Sequence, residues 1–274
     1  MYLCLIVALN ASAWGQYQPP RILAEVQIPT LTESSGVAAS RTHPGVLWTH
    51  NDSGTGPLLF AVDRAGKLVS RWQVPGVRAF DWEDIAAGPG GLYIGDIGDN
   101  NRRRASIVVY RIPEPNPRAS KPGRTSVATA FRFTYPDGAH DAEALMVHPK
   151  TGDMYIVSKA HFGDPETAVY RARAPLRSGT VLRKVAVLRI ARGLLGSIAG
   201  ITGGDISPDG SRVVLCDYFA AWEAPFDPEW KSEWRSIEIG AREQGEAICY
   251  RHDGRALLVT SEGASFPLIE IELR

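Results

Sequence analysis

Short apolar runs alternate with turn residues along the whole chain, and one phrase returns five times. It reads ESSGVAAS from Glu33, DWEDIAAGPGGLYIGD from Asp81 and HDAEALMVHPKTGDMYIVS from His140. It returns as ITGGDISPDGSRVVLCD from Ile201 and QGEAICYRHDGRALLVTS from Gln244. Each copy is a polar residue, a small residue, an apolar stretch, a Pro/Gly turn and a β-rich run with a polar end. Such a strand-rich repeat predicts a propeller whose blades meet at a central channel.

Period-2 alternation and turn punctuation give about four strands per unit. Unit one runs from Ser34 through Val46–His50, Leu58–Asp63 and Leu68–Val74. Unit two holds Leu92–Asp96, Ser106–Ile112 and Ala128–Tyr135; unit three holds Met154–Ser158, Ala168–Ala172 and Leu182–Ile190. Unit four holds Arg212–Asp217, a strand near Ala220–Ala224 and Ser236–Gly240. Unit five, with Ala256–Thr260 and Pro267–Leu273, is one strand short, whereas Arg21–Ile28 reads as a strand without a unit. A ring must close, so the N-terminal strand is expected to complete the last blade. The expected fold is all-β, a five-bladed β-propeller forming one domain over 20–274. The alternative is a six-bladed ring with a degenerate blade in 101–130 or 219–236.

Aligning the copies on their turns sets Ser35, Glu83, Glu143, Thr202 and Glu246 at one equivalent position, and leaves out Glu33 and Asp205. Three carboxylates and two hydroxyls converging on an axis call for a cation. Calcium takes six to eight hard oxygen ligands in irregular geometry, whereas magnesium demands a tight octahedron. The competing reading has these residues capping strands within their own blades.

The order Ser, Glu, Glu, Ser/Thr, Glu resembles that of the calcium-activated nucleotidases, or apyrases. Phe80-Asp81-Trp82-Glu83-Asp84-Ile85-Ala86, followed by Leu92-Tyr93-Ile94-Gly95-Asp96-Ile97-Gly98, is similar in layout to theirs. The phrases SSGVAAS, LWTHNDSG, DWEDIA, YIGDIGDN and TGGDISPDG also resemble a group of bacterial propeller proteins, mostly uncharacterised, across nearly the whole chain. The nucleotidase resemblance implies five blades and a central Ca2+ held by Ser35, Glu83, Glu143, Thr202 and Glu246, with Thr202 in place of Ser.

A second candidate set follows the second strand of each unit and should gather at one mouth. Asp96 and Asp217, at corresponding strand ends, are the candidates to position or activate water. Asn51, Asp52, Lys159, His161 and Glu262 are candidate ligand-binding residues, joined by Arg102 and Arg103 as holders of a phosphate or carboxylate. The simpler reading of NDSG and GDN is a pair of Asx turns, and that of the arginine run is a solvated loop. His140-Asp141, just before Glu143, could orient a ligand or water.

Composition narrows the partners. Thirty basic and thirty acidic residues cancel, so no global field favours nucleic acid or anionic membrane. No apolar run reaches the roughly 20 residues of a membrane span. Tyr2 to Leu9, followed by Asn10-Ala11-Ser12-Ala13, predicts a signal peptide over 1–13 and a secreted or periplasmic protein; without a signal there, the protein would be cytoplasmic. Cys216 and Cys249 fall in neighbouring units, where a bridge and two buried thiols are both open readings. There is no G-x-S-x-G elbow, P-loop, dinucleotide-binding glycine motif or H-E-x-x-H, and the histidine pattern expected of lactonase propellers is not evident. The function expected is a calcium-dependent phosphohydrolase, nucleotidase- or phytase-like, acting on a small phosphorylated or anionic molecule as a monomer. The alternative is a non-catalytic binding propeller with a structural calcium.

Overall fold

A computed structural model describes residues 16–120, 123–160, 166–188, 190 and 200–274. Among them the chain forms strands and no helix, arranged as five antiparallel sheets. Blade 1 is built from β2 (Ser34–Ala39), β3 (Val46–Asn51), β4 (Leu58–Asp63) and β5 (Leu68–Gln73). The N-terminal β1 (Arg21–Val26) lies elsewhere. Blade 2 contains β6 (Trp82–Gly88), β7 (Gly91–Asp96), β8 (Ile107–Ile112) and β9 (Thr129–Thr134). Blade 3 contains β10 (Ala142–Val147), β11 (Met154–Ser158), β12 (Thr167–Ala172) and β14 (Arg183–Leu188). On the way to β14, the short β13 (Thr180–Val181) pairs in parallel with β9 and adds a fifth strand to blade 2. Blade 4 comprises β15 (Gly203–Ile206), β16 (Arg212–Cys216), β17 (Ala221–Pro225) and β18 (Arg235–Ile237). Blade 5 comprises β19 (Gly245–Tyr250), β20 (Ala256–Ser261) and β21 (Phe266–Glu272), and β1 pairs with β21 as its outer strand. The five-bladed ring and its closure by the first strand are as the repeat predicts.

The segments 101–130 and 219–236 supply strands to blades 2 and 4 and leave no sixth blade among the described residues. Part of the connection between β8 and β9 instead runs along β5, with Gln73 bonded on both sides to Gly123 and Thr125. The expected leader over 1–13 lies outside the described residues.

The innermost strands β2, β6, β10, β15 and β19 stand side by side around the axis, with β19 returning to β2. Each of the five apolar clusters fills one seam between neighbouring blades. Alternate residues of a strand therefore serve different seams: Tyr93 of β7 packs against blade 3, while Leu92 and Ile94 pack against blade 1. Both faces of the inner strands are buried, so they read as near-continuous apolar runs. Cys216 and Cys249 are buried free thiols.

Two fully buried carboxylates tie the closing seams. Glu270 of β21 receives Arg21 (2.9 Å), Arg64 (2.5 Å) and Arg251 (2.9 Å), joining the first strand, blade 5 and blade 1. Glu223 of β17 receives Arg212, Arg235, Tyr17 and Tyr250, joining blade 4 to blade 5 and the N-terminal arm.

Candidate functional site

Four of the five inner strands begin with a local slip in the ladder. In β2 the register shifts between Ser34 and Gly36, in β6 between Trp82 and Asp84, in β10 between Ala142 and Ala144, and in β19 between Gly245 and Ala247. The residues inserted at these slips are Ser35, Glu83, Glu143 and Glu246. In blade 4 the Thr202 N–H bonds to the Cys216 carbonyl while Gly203 also faces Cys216, so Thr202 holds the same place. A bulge leaves one residue outside the ladder and re-aims its side chain. Four of the five repeated positions thus share one backbone device, with Thr202 at the matching place in blade 4, and all five residues are buried.

The two hydroxyls tie neighbouring blades. Ser35 Oγ donates to the Glu83 carbonyl at 2.7 Å, and Thr202 Oγ1 donates to the Gly245 carbonyl at 3.0 Å. Ser35 also stands 3.3 Å from Glu83 Oε2. The acidic members crowd together: Glu83, Asp141 and Glu143 each offer an oxygen, all within 4.8 Å of one another. Burial raises Glu83 well above the usual carboxylate range, and the neighbouring Glu143 and Asp81 raise it further. Glu143 is also raised, chiefly by burial, although Lys159 Nζ bonds to its Oε1. Burial raises Glu246 as well, and Gln244 donates to its Oε1 at 3.1 Å.

A second tier stands two residues before each inserted one: Glu33, Asp81, Asp141, Gly200 and Gln244. Asp141 Oδ1 accepts the Asp99 N–H at 2.7 Å, and burial together with Asp141 pushes Asp81 up to about 6. The sequence reading left Asp141 as a companion of His140 and did not single out Asp81. The signal was the repeated acid-x-Glu of Asp81-Trp82-Glu83 and Asp141-Ala142-Glu143. His140 turns away from this tier, bonding Asp137 and Tyr170.

A third tier ends the second strands at Asp52, Ile97, Lys159, Tyr218 and Glu262. Hydrogen bonding to the Asp52 carboxyl, with burial, pushes Glu33 up to about 7. Burial and the carboxylates of Glu246 and Asp52 push Glu262 to about 7. Lys159 Nζ lies 3.4 Å from the Tyr218 hydroxyl and 5.4 Å from its ring centroid. Of the sequence-selected binding residues, Asp52, Lys159 and Glu262 stand at these strand ends. Of the remainder, Arg102 has a positive φ of 49° and donates its N–H to the Asp99 carbonyl, and Arg103 is exposed. His161 lies outside the described residues.

One step below the rim, Asn51, Asp96, Ser158, Asp217 and Ser261 share a register and are buried. Each accepts backbone N–H groups. Asn51 Oδ1 holds Thr32 and Glu33, Ser158 Oγ holds Ala168, and Ser261 Oγ holds Gln244. Asp96 Oδ2 holds Phe80 while its Oδ1 takes Arg104 at 2.7 Å. Asp217 Oδ1 holds Phe219 and Ala220 in an Asx turn. Asp96 and Asp217 do correspond in the fold, as fasteners of the loops that form the mouth.

No family model matches this chain, and no curated protein matches it. Among solved structures, a gluconolactonase from Xanthomonas campestris superposes with a TM-score of 0.52 at 12% identity, covering 95% of this chain and 97% of that one. A chain of a mitotic checkpoint complex gives a TM-score of 0.43 at 13% identity, covering 86% of this chain and 60% of that one. The first likeness is one of propeller fold, to a hydrolase-type neighbour at low identity; the second is too distant to carry an argument. The class defined here is a five-bladed β-propeller with an acidic axial mouth. No helix among the described residues is long and apolar enough to cross a membrane.

Proposed function

We propose that the axial mouth holds one calcium ion and that the protein is a calcium-dependent hydrolase of small anionic, phosphorylated molecules. The observation that carries this reading is the set of Glu83, Asp141 and Glu143 oxygens within 4.8 Å of one another, with Glu83 and Glu143 at the bulges of β6 and β10. Carboxylates so close and so buried repel unless a cation or protons intervene. Calcium accepts such an irregular set of carboxylate and hydroxyl oxygens, at about 2.4 Å each. Glu83, Glu143 and Glu246 would hold the ion with Ser35 and Thr202, and Asp141 would join from the second tier.

The ion would supply a Lewis acid for a phosphoryl or carbonyl oxygen. Lys159 and the Tyr218 hydroxyl would receive the remaining negative charge of the substrate, with Asp52 and Glu262 limiting how much anion the rim admits. Asp96 and Asp217 would support this mouth through the loops they fasten. Export, suggested by the first thirteen residues, would place the protein where calcium is abundant.

Calcium titration by calorimetry tests the site: Glu143→Gln is expected to weaken binding by tenfold or more (about 1.4 kcal/mol per decade). Equal affinity in both proteins would remove Glu143 from the site. Activity is tested on nucleoside diphosphates, phytate, a generic phosphoester and a sugar lactone, with calcium and with chelator. Turnover of none would leave the second reading, a binding propeller pinned by its ion. That reading draws on Ser35 and Thr202, whose hydroxyls bond across blade seams.

A further inference from the structure

Lys159 already sits where a cation would go. Its Nζ contacts Oε1 of Glu143, one of the three residues of the acidic cluster. The side chain is 17% exposed, so it retains a path to the mouth. Its stem packs against Gly200, where an added Cβ would come within 2.6 Å of Lys159 Cγ. On the rim side the same ammonium faces the Tyr218 hydroxyl at 3.4 Å. One flexible side chain thus stands between an acidic well and a rim that lacks any other anion donor as close to Glu143 among the described contacts.

Resting on the calcium reading above, we infer that Lys159 is a built-in competitor for the cation site and couples it to anion binding. The ammonium and a divalent cation compete for the Glu143 carboxylate: both draw on its negative charge, and their own charges repel at contact distance. A bound cation turns the ammonium out toward the Tyr218 side. There it meets an oxyanion such as a phosphate or sulfate group. The empty well binds anion poorly because its own carboxylates repel it and Glu143 keeps the ammonium. Linkage then requires reciprocity: an oxyanion that holds Lys159 at the rim must tighten cation binding by the same factor. The order of binding is set by one lysine, cation before anion.

The test is calorimetric titration of calcium into the full chain, with sodium sulfate or with sodium chloride at equal ionic strength. Wild type is expected to bind calcium more tightly in sulfate. Lys159→Met is expected to bind calcium tenfold or more tighter than wild type in chloride, and to lose the response to sulfate. Lys159→Gln serves where the methionine variant fails to fold. Tyr218→Phe, which keeps the ammonium, is expected to hold the calcium constant within about twofold and to weaken the sulfate effect. Calcium binding equal or weaker in both lysine variants overturns the competition while leaving the calcium site intact. A sulfate effect that survives in all three variants overturns the coupling. Absence of calcium binding in wild type and variants alike overturns the calcium reading and this inference together.

Discussion

Gly98 is the residue on which the acidic cluster leans. A Cβ there would stand 2.0 Å from Glu83 Oε1 and 2.6 Å from the Asp81 carboxyl. Because the clash is with carboxylates and not with the ladder, Gly98→Ala should move Glu83 with little loss of fold. Its expected mark is calcium affinity reduced tenfold or more in a titration, with near-UV circular dichroism unchanged. His50 offers a separate reading of the seam between blades 1 and 2. It is fully buried edge-on to Trp82 at 5.6 Å, and burial lowers its pKa to about 4. Between about pH 4 and the unfolded value near 6.5, the unfolded chain holds a proton that the folded one lacks, so stability rises with pH across that window. The full change is about 3 kcal/mol. Urea midpoints should show that slope flattened by about one proton in His50→Gln; an unchanged slope would mean that another group carries it.

At the scale of elements, the strand set was legible because Pro/Gly turns bound nearly every run, and because β1 had no unit of its own. The inner ring was legible too, since one side chain per copy fell at a fixed distance from its turn. What the sequence hid was how those side chains are aimed. A one-residue slip leaves no mark in composition, and period-2 reasoning assigns Glu83 and Asp84 to opposite faces without saying which faces the axis. Asp84 in fact turns away, accepting the N–H of Ile85 and, from the next blade, that of Leu145. Asp96 was hard to judge for a related reason: its partner Arg104 lies in a loop that no periodicity fixes. The closing seam gives a test at this scale. Glu270 is fully buried beneath Arg21, Arg64 and Arg251, so Glu270→Gln should remove the anion that joins them, leaving Arg21 and Arg64 to water and Arg251 to Asp253. Loss of pairs whose cations are largely exposed costs about 1 kcal/mol, to be read as a lower urea midpoint with a normal m-value. A variant as stable as wild type would show that β1 is held by its ladder and apolar face alone.

The whole molecule is a ring, and a ring fails at its weakest seam. Each seam has its own apolar cluster, so no single core spans the protein. An ion held at the axis by donors from all five blades would act on every seam at once. Its stabilisation grows with the logarithm of free calcium, by about 2.7 kcal/mol at a hundred times the dissociation constant. Melting temperature should therefore climb with calcium and fall on chelation, and it should do so as one transition. Separate transitions would show that the blades are not tied at the centre. The bulges carry a wider consequence. Each places a side chain outside its own ladder, so the side chain can change without shifting that strand's register, although Ser35 and Thr202 also bond across seams. The axis is in that sense a five-letter field written on a fixed page. Exchanging carboxylate for hydroxyl, amide or imidazole at those positions rewrites what the mouth attracts, while the blades around it stay as they are.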